Sequence, residues 1–479
     1  MNTPSAEKPL LYEELAEQLR GMIGNGTLRP GERIPSVRRM ARQRRVSIST
    51  VLQAYGVLEN ERAIEARPQS GYFVRSRGWE RPEEPGMSRP APKPTSVHVS
   101  ELSLQVMRLM EMTHDPDAVK FGAALPCPEW LPAAALNRMM AAAGRRRSDG
   151  GTGYEIVPGS QALRVQIARR ALENGTALSA DDVIVTCGGT EALYLCLRAV
   201  AQAGDTIAIE SPSYFGVLTC IESLGMKALE IPTHPRDGVS LEALAFALES
   251  QPVKACVFVP NFHNPLGCCM SDEHKQQLAE MLARREIPLI EDDTYGEIAF
   301  GPYRPKTVKS FDRNGLVLLC DSFSKTLAPG YRVGWAAPGR FREKVTHLKM
   351  VSSLGNATLP ELAIADYLAT GGYEHHLRKL RKLYAEQTAL LTHAIGEHFP
   401  EGTRVTRPAG GQVLWVELPE SIDAMELFYR ALERNISIAP GPIFSPKQKY
   451  RNFIRLNAGV SWNERTEAAL AELGRMMRA

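Results

Sequence analysis

The chain has 479 residues, 44% of them hydrophobic and 23% charged, with a net charge of 57 − 54 = +3. This is the balance of an ordinary globular chain, long enough for two or three domains. No run of about 18 apolar residues occurs and Met1–Leu10 lacks the apolar core of a signal peptide, so a membrane partner is excluded and a cytoplasmic location is expected. The eight cysteines lie beyond residue 126 without C-x-x-C spacing, which suits reduced, buried thiols and predicts no metal site.

Charge is uneven along the chain. Residues 1–80 hold 13 Lys+Arg and 9 Asp+Glu, a net of +4, and Arg29–Thr50 holds seven arginines against Glu32 alone. Arginines without lysines lean towards phosphate contacts rather than a merely solvated face. Tyr12, Leu15, Leu19 and Ile23 recur at helical spacing and predict a helix over Leu11–Gly24. Ser36 caps a second helix whose inward face is Val37, Met40 and Ala41. Ser47 caps a third, in which Val51, Tyr55 and Leu58 face a core, leaving Ser49, Thr50 and Gln53 outward. A polar second helix after a short turn is a helix-turn-helix, with 63–66 and 72–74 as wing strands. A three-helix domain serving only dimerisation is the plainer alternative.

The strings Leu28-x-Pro30-Gly31-Glu32-Arg33-Ile34-Pro35-Ser36-x-Arg38 and Ala66-Arg67-Pro68-x-Ser70-Gly71-x-Phe73-Val74 resemble the winged helix-turn-helix of GntR-family repressors. The resemblance implies that Arg33, Arg38, Ser47 and Thr50 contact DNA phosphates, that Ser49 belongs to the same face, and that the wing tip at Gly71 reaches the minor groove. Two residues depart from the pattern: Ile48 stands where arginine is common, and Arg62 where glycine is expected. Residues 1–75 are read as this DNA-binding domain. Residues 76–98, with five prolines, are read as a semi-extended linker.

From Val99 onward helical and strand patterns alternate, predicting an α/β architecture with a mostly parallel sheet. Ile184–Thr186 leads into Cys187-Gly188-Gly189-Thr190 and a helix, a turn able to cradle phosphate. Further strands end at Ser211-Pro212-Ser213-Tyr214, at Asn264-Pro265-Leu266-Gly267 and at Asp292-Asp293-Thr294-Tyr295. Another, over Leu316–Leu319, leads to Ser322-Phe323-Ser324-Lys325 with Arg332 seven residues on. A lysine amine condenses with an aldehyde, and serines with an arginine grip a phosphate. The compound carrying both groups is pyridoxal 5'-phosphate (PLP). Ser-x-x-Lys also fits a β-lactamase box, but the companion Ser-Asp-Asn and Lys-Thr-Gly strings do not occur.

Asn264 precedes Asp292 by 28 residues and Asp292 precedes Lys325 by 33, an order and spacing that resemble fold-type I aminotransferases. Together with the head, the whole chain resembles MocR-type regulators. This implies a large domain with a mostly parallel sheet and a smaller α+β domain over residues 99–479, acting as a homodimer. It implies that Lys325 forms the internal aldimine, that Asp292 (with Asp293 as competitor) pairs with the pyridine nitrogen, and that Asn264 and Tyr295 bond the phenolic oxygen. Tyr214 would stack on the ring. Gly189, Thr190, Ser322, Ser324 and Arg332 would bind the phosphate, and Tyr154 the phosphate of a neighbouring subunit. Arg455 would hold the carboxylate of an amino-acid ligand. Two functions fit. One is a transcriptional regulator of operator DNA with two half-sites, sensing an amino compound by aldimine exchange at Lys325. The other is a working PLP-dependent aminotransferase with an accessory DNA-binding head.

Overall fold

A computed structural model describes residues 10–24, 27–28, 32–61, 63–67, 70–74, 81–89, 93–97, 107–108 and 110–478. The chain divides into two compact units, Met1–Pro82 with Ala389–Phe399, and Glu83–Thr388 with Pro400–Ala479.

In the first unit the head consists of α1 (Leu11–Gly24), α2 (Val37–Arg44), α3 (Ile48–Asn60) and an antiparallel hairpin of β1 (Ile64–Arg67) and β2 (Gly71–Val74). Apolar residues at helical spacing converge: Leu15, Leu19, Met40, Val51, Tyr55 and Leu58 are buried together with Ile64 and Val74 of the hairpin. Ser36 caps α2 through the Arg39 N–H, and Ser47 caps α3 through the Thr50 N–H, each satisfying a donor that the helix start leaves orphaned. Tyr55 packs edge-on to Tyr72 and donates from its hydroxyl to the Pro35 carbonyl, 2.6 Å, so its polar end is met inside the core. Both wing strands start within a residue of their sequence-predicted positions; of the turn between them, Pro68 and Gln69 lie outside the described residues.

The second unit is built on a sheet in which Lys227–His234, Thr206–Ser211, Val253–Phe258, Leu289–Asp292 and Val317–Ser322 lie side by side and parallel. Gly334–Ala337 joins antiparallel, and Ile184–Thr186 follows it. The central strands are buried on both faces and read as apolar runs because helices cover them. A smaller layer has an antiparallel sheet ordered Arg404–Val405, Val413–Glu417, Phe453–Asn457, Ala439–Pro440, backed by the helices Ala424–Leu432 and Glu464–Met476. This is the α/β arrangement with a smaller α+β part that the sequence predicts.

Part of the proline-rich stretch read as linker is tied to this unit. The Glu83 carbonyl accepts from the Val405 N–H, 2.7 Å. Glu84 pairs with Arg236, and Ser88 Oγ accepts from the Thr233 N–H, 3.0 Å. Thr95–Ser96 then adds to the sheet edge beside Lys227 and Ala228.

Candidate functional site

The motifs carrying Tyr214, Asn264, Asp292 and Lys325 follow the carboxyl ends of parallel strands, where open α/β sheets place their ligands. Leu289–Asp292 runs far enough to carry Asp292 itself. Val317–Ser322 delivers Ser322 and, one turn on, Lys325. The helix Gly188–Val200 starts at the glycine turn. These segments enclose a cavity of about 930 Å³, counting its open mouth, lined by Lys325, Asp292, Tyr295, Asn264, Tyr214, Gly189, Thr190, Ser322, Ser324, Arg332 and Arg455. Of the sequence-predicted cofactor and ligand residues, only Tyr154 lies elsewhere: it is 85% exposed on the surface.

Lys325 Nζ donates to the Ala124 carbonyl, 2.6 Å, and stands 5.9 Å from the centre of the Tyr295 ring. Burial, reinforced by the Arg455 charge and only partly offset by Asp292, lowers its pKa to about 8. Asp292 Oδ1 accepts from both the N–H (3.1 Å) and the hydroxyl (2.6 Å) of Thr294. Burial raises the Asp292 carboxyl nonetheless, so a cation facing it is favoured. Asp293 is engaged elsewhere, accepting from Asn261 Nδ2 at 2.7 Å and paired with Arg304. Of the two adjacent aspartates, Asp292 lines the cavity and Asp293 does not.

Arg455, on the strand Phe453–Asn457, is 0% exposed. It donates to Asn264 Oδ1 (3.1 Å) and to the Gly122 carbonyl, while its Nε has no hydrogen-bond partner among the described residues. Burial lowers its pKa to about 10. A fully buried guanidinium with no carboxylate against it is costly unless an anion completes it. Asn264 Nδ2 in turn donates to the Tyr295 hydroxyl, 3.4 Å.

The opposite end of the cavity is a cup of donors. Ser322 Oγ donates to Ser324 Oγ, 2.7 Å, and Arg332 Nη1 reaches Ser324 Oγ at 3.5 Å. Gly188 has φ +77°, and a Cβ there would lie 2.3 Å from Arg332 Nη2. The glycine is what lets the guanidinium lie against the helix start. A lysine with a lowered pKa, an acid able to face a ring N–H, and an anion cup at a helix N-terminus fit PLP group for group.

Several participants escape sequence reasoning. Gly122 and Ala124 act through carbonyls about two hundred residues before Lys325, and Thr294 acts on a neighbour rather than on a ligand. The signal available was the run of small residues Gly122-Ala123-Ala124 before Pro126. Buried His263, beside Asn264, sets Nε2 3.2 Å from Glu210 and accepts the Leu266 N–H at Nδ1, fixing the turn that presents Asn264.

In the head, Arg33, Arg38, Ser47 and Ser49 are exposed and Thr50 is half-buried; Arg38 lies on α2, Ser47, Ser49 and Thr50 at the start of α3, and Arg33 beside the wing strand at Phe73. Gly71 (φ +96°) lies under the Arg33 guanidinium, so Arg33 and the turn end of the wing form one basic corner.

Residues 11–74 match the family model "Bacterial regulatory proteins, gntR family", and residues 118–471 match "Aminotransferase class I and II". The chain is 40% identical to the uncharacterized HTH-type transcriptional regulator YjiR of Escherichia coli, over 97% of this chain and 98% of that one. It is 38% identical to YdcR of the same organism, over 98% and 99%. Among solved structures it is similar to LysN, the α-aminoadipate aminotransferase of Thermus thermophilus complexed with N-(5'-phosphopyridoxyl)-L-leucine, at 27% identity and a TM-score of 0.72, covering 79% of this chain and 97% of that one.

Proposed function

Since the chain belongs to the MocR-type GntR-family regulators, with an aminotransferase class I and II domain behind a helix-turn-helix head, we propose that it binds operator DNA and adjusts that binding by sensing an amino acid or amine at Lys325. PLP is the cofactor. Bound in the cavity, it supplies an aldehyde carbon that links to the Lys325 amine and, by exchange, to the amine of an incoming effector.

The chain's own residues set the terms. Ser322, Ser324, Arg332, Gly189 and Thr190 hold the phosphate at the helix start, with Tyr154 reserved for the phosphate of a second copy. Asp292, oriented by Thr294, keeps the pyridine nitrogen protonated. Asn264 and Tyr295 meet the phenolic oxygen, and Tyr214 covers the ring. Arg455 takes the effector's carboxylate through the donor that the structure leaves unpartnered. An amine free at Lys325 would have the Ala124 carbonyl beside its Nζ as acceptor. In the head, Arg33, Arg38, Ser47, Ser49, Thr50 and Gly71 face DNA, two heads meeting two half-sites.

The observation that carries this reading is the wholly buried Arg455, incomplete without an anion and sharing the cavity with Lys325. The test is to follow the cofactor's absorption while a panel of amino acids and amines is added, with binding to operator DNA measured in parallel. An effector that shifts both the spectrum and the DNA affinity is expected. A compound that shifts the spectrum and turns over to its oxo product while DNA affinity stays constant would instead indicate a working aminotransferase.

A further inference from the structure

The start of α3 presents two large aliphatic side chains to solvent, Ile48 at 52% and Leu52 at 48% exposure. They stand four residues apart, on one flank of the helix, one turn above the other. Neither belongs to the head's core, which α3 completes with Val51, Ala54, Tyr55 and Leu58. The hydroxyls around them are already committed: Ser47 Oγ accepts the Thr50 N–H (3.0 Å) and lies 2.7 Å from both Ser49 Oγ and Thr50 Oγ1. The apolar pair is thus the part of this helix start that carries no hydrogen-bonding duty of its own. Around it the surface is strongly cationic. Arg38, Arg39, Arg42, Arg44 and Arg45 are exposed, and no acidic residue occurs in α2 or in the first turn of α3.

Single exposed aliphatics are common and mean nothing alone. Here two of them, at the start of a helix-turn-helix recognition element, sit among arginines that suit phosphates on either side. In a major groove, guanine offers two acceptors, adenine an acceptor and a donor, and cytosine a donor, while thymine adds a 5-methyl group. Packing Ile48 or Leu52 against the polar edges strips water from them without returning a hydrogen bond. Packing against a methyl buries apolar surface on both partners. Resting on the reading of this chain as a DNA-binding regulator, we propose that Ile48 and Leu52 are specificity-determining residues that select A·T pairs by contact with thymine 5-methyl groups in the major groove, while the arginines only position the head on the phosphates.

The test uses the full-length, PLP-loaded protein and two random-sequence duplex pools amplified in parallel with thymidine or with deoxyuridine triphosphate, which differ only in the 5-methyl group. The thymine pool is expected to yield an enriched site. Replacing its contacted thymines one at a time by deoxyuridine should weaken binding about fourfold each, the worth of roughly one buried methyl. Ile48→Ser and Leu52→Ser, at exposed positions, should bring the thymine-to-uracil affinity ratio to about one at the base each residue contacts, and leave the salt dependence unchanged. An enriched site bound equally well in both forms would overturn the methyl contact while leaving the regulator reading intact. So would serine variants that keep the wild-type preference for thymine over uracil. Failure of the thymine-containing pool to yield any enriched sequence would overturn both readings.

Discussion

Lys325 is a weaker base than a free lysine because its ammonium is buried and faces Arg455. A neutral amine is the nucleophile, and its fraction rises as pH climbs through the pKa. Capture of PLP by the cofactor-free protein, read as borohydride-reducible label, should therefore rise with a midpoint near pH 8 rather than near the 10.4 of an ordinary lysine. Lys325→Ala should abolish the label; label on another lysine would refute the assignment. The two adjacent aspartates should separate as cleanly. Asp292→Ala removes the partner of the pyridine nitrogen and should weaken PLP retention by about 3–5 kcal/mol, the usual cost of leaving one member of a buried charge pair alone. Asp293→Ala leaves Arg304 with Glu297 as its remaining acid, so its effect should appear first in the denaturation midpoint and only then in the cofactor. Unchanged PLP affinity in Asp292→Ala would reverse the assignment.

At the scale of elements, the cavity depends on how closely one helix start meets one arginine. A side chain at Gly188 would be strained at φ +77° and would sit on the Arg332 guanidinium. Gly188→Ala should lower PLP affinity at least tenfold, in absorbance titration of the cofactor-free protein, while the fold persists. A Cβ at Gly189 meets only ordinary contacts at 3.4–3.5 Å, so Gly189→Ala should change affinity far less. Equal losses in the two variants would contradict this account of the cup. The same helix shows why much of the site was legible in sequence. Strand, glycine turn and helix are local patterns, readable without knowledge of distant segments. Polar partners from distant segments are another matter. The carbonyls of Gly122 and Ala124 leave no side-chain signature, and the commitment of Asp293 depends on Arg304 folding back over it. The strand expected over Leu316–Leu319 runs on to Ser322, three residues further, because Asp321 and Ser322 continue the ladder although their side chains are polar. The proline-rich stretch likewise gave no hint of its attachment, since Glu84 and Ser88 find their partners only through the fold.

For the whole molecule, the regulator reading requires the ligand cavity and the DNA-binding head to be thermodynamically linked, and linkage is reciprocal. If an effector changes operator affinity tenfold, a coupling of about 1.4 kcal/mol, then operator DNA must change effector affinity by the same factor. Within the large unit a short route, partly along the chain and partly by hydrogen bonds, leads from the cavity to the proline-rich stretch at Ser88. Tyr214 lies three residues beyond Ser211, whose N–H donates to Thr233 Oγ1, 3.2 Å, and the Thr233 N–H donates to Ser88 Oγ, 3.0 Å. Ser88→Ala removes the last acceptor on that route without touching any residue that lines the cavity. Effector affinity of the DNA-free protein should stay at the wild-type value, while the factor by which operator DNA alters it should shrink towards one. The measurement is the effector-induced spectral shift, with and without operator, for wild type and variant. A wild-type protein whose effector affinity ignores operator DNA would refute the sensor itself. A variant that keeps the full coupling factor would show that coupling runs by another path.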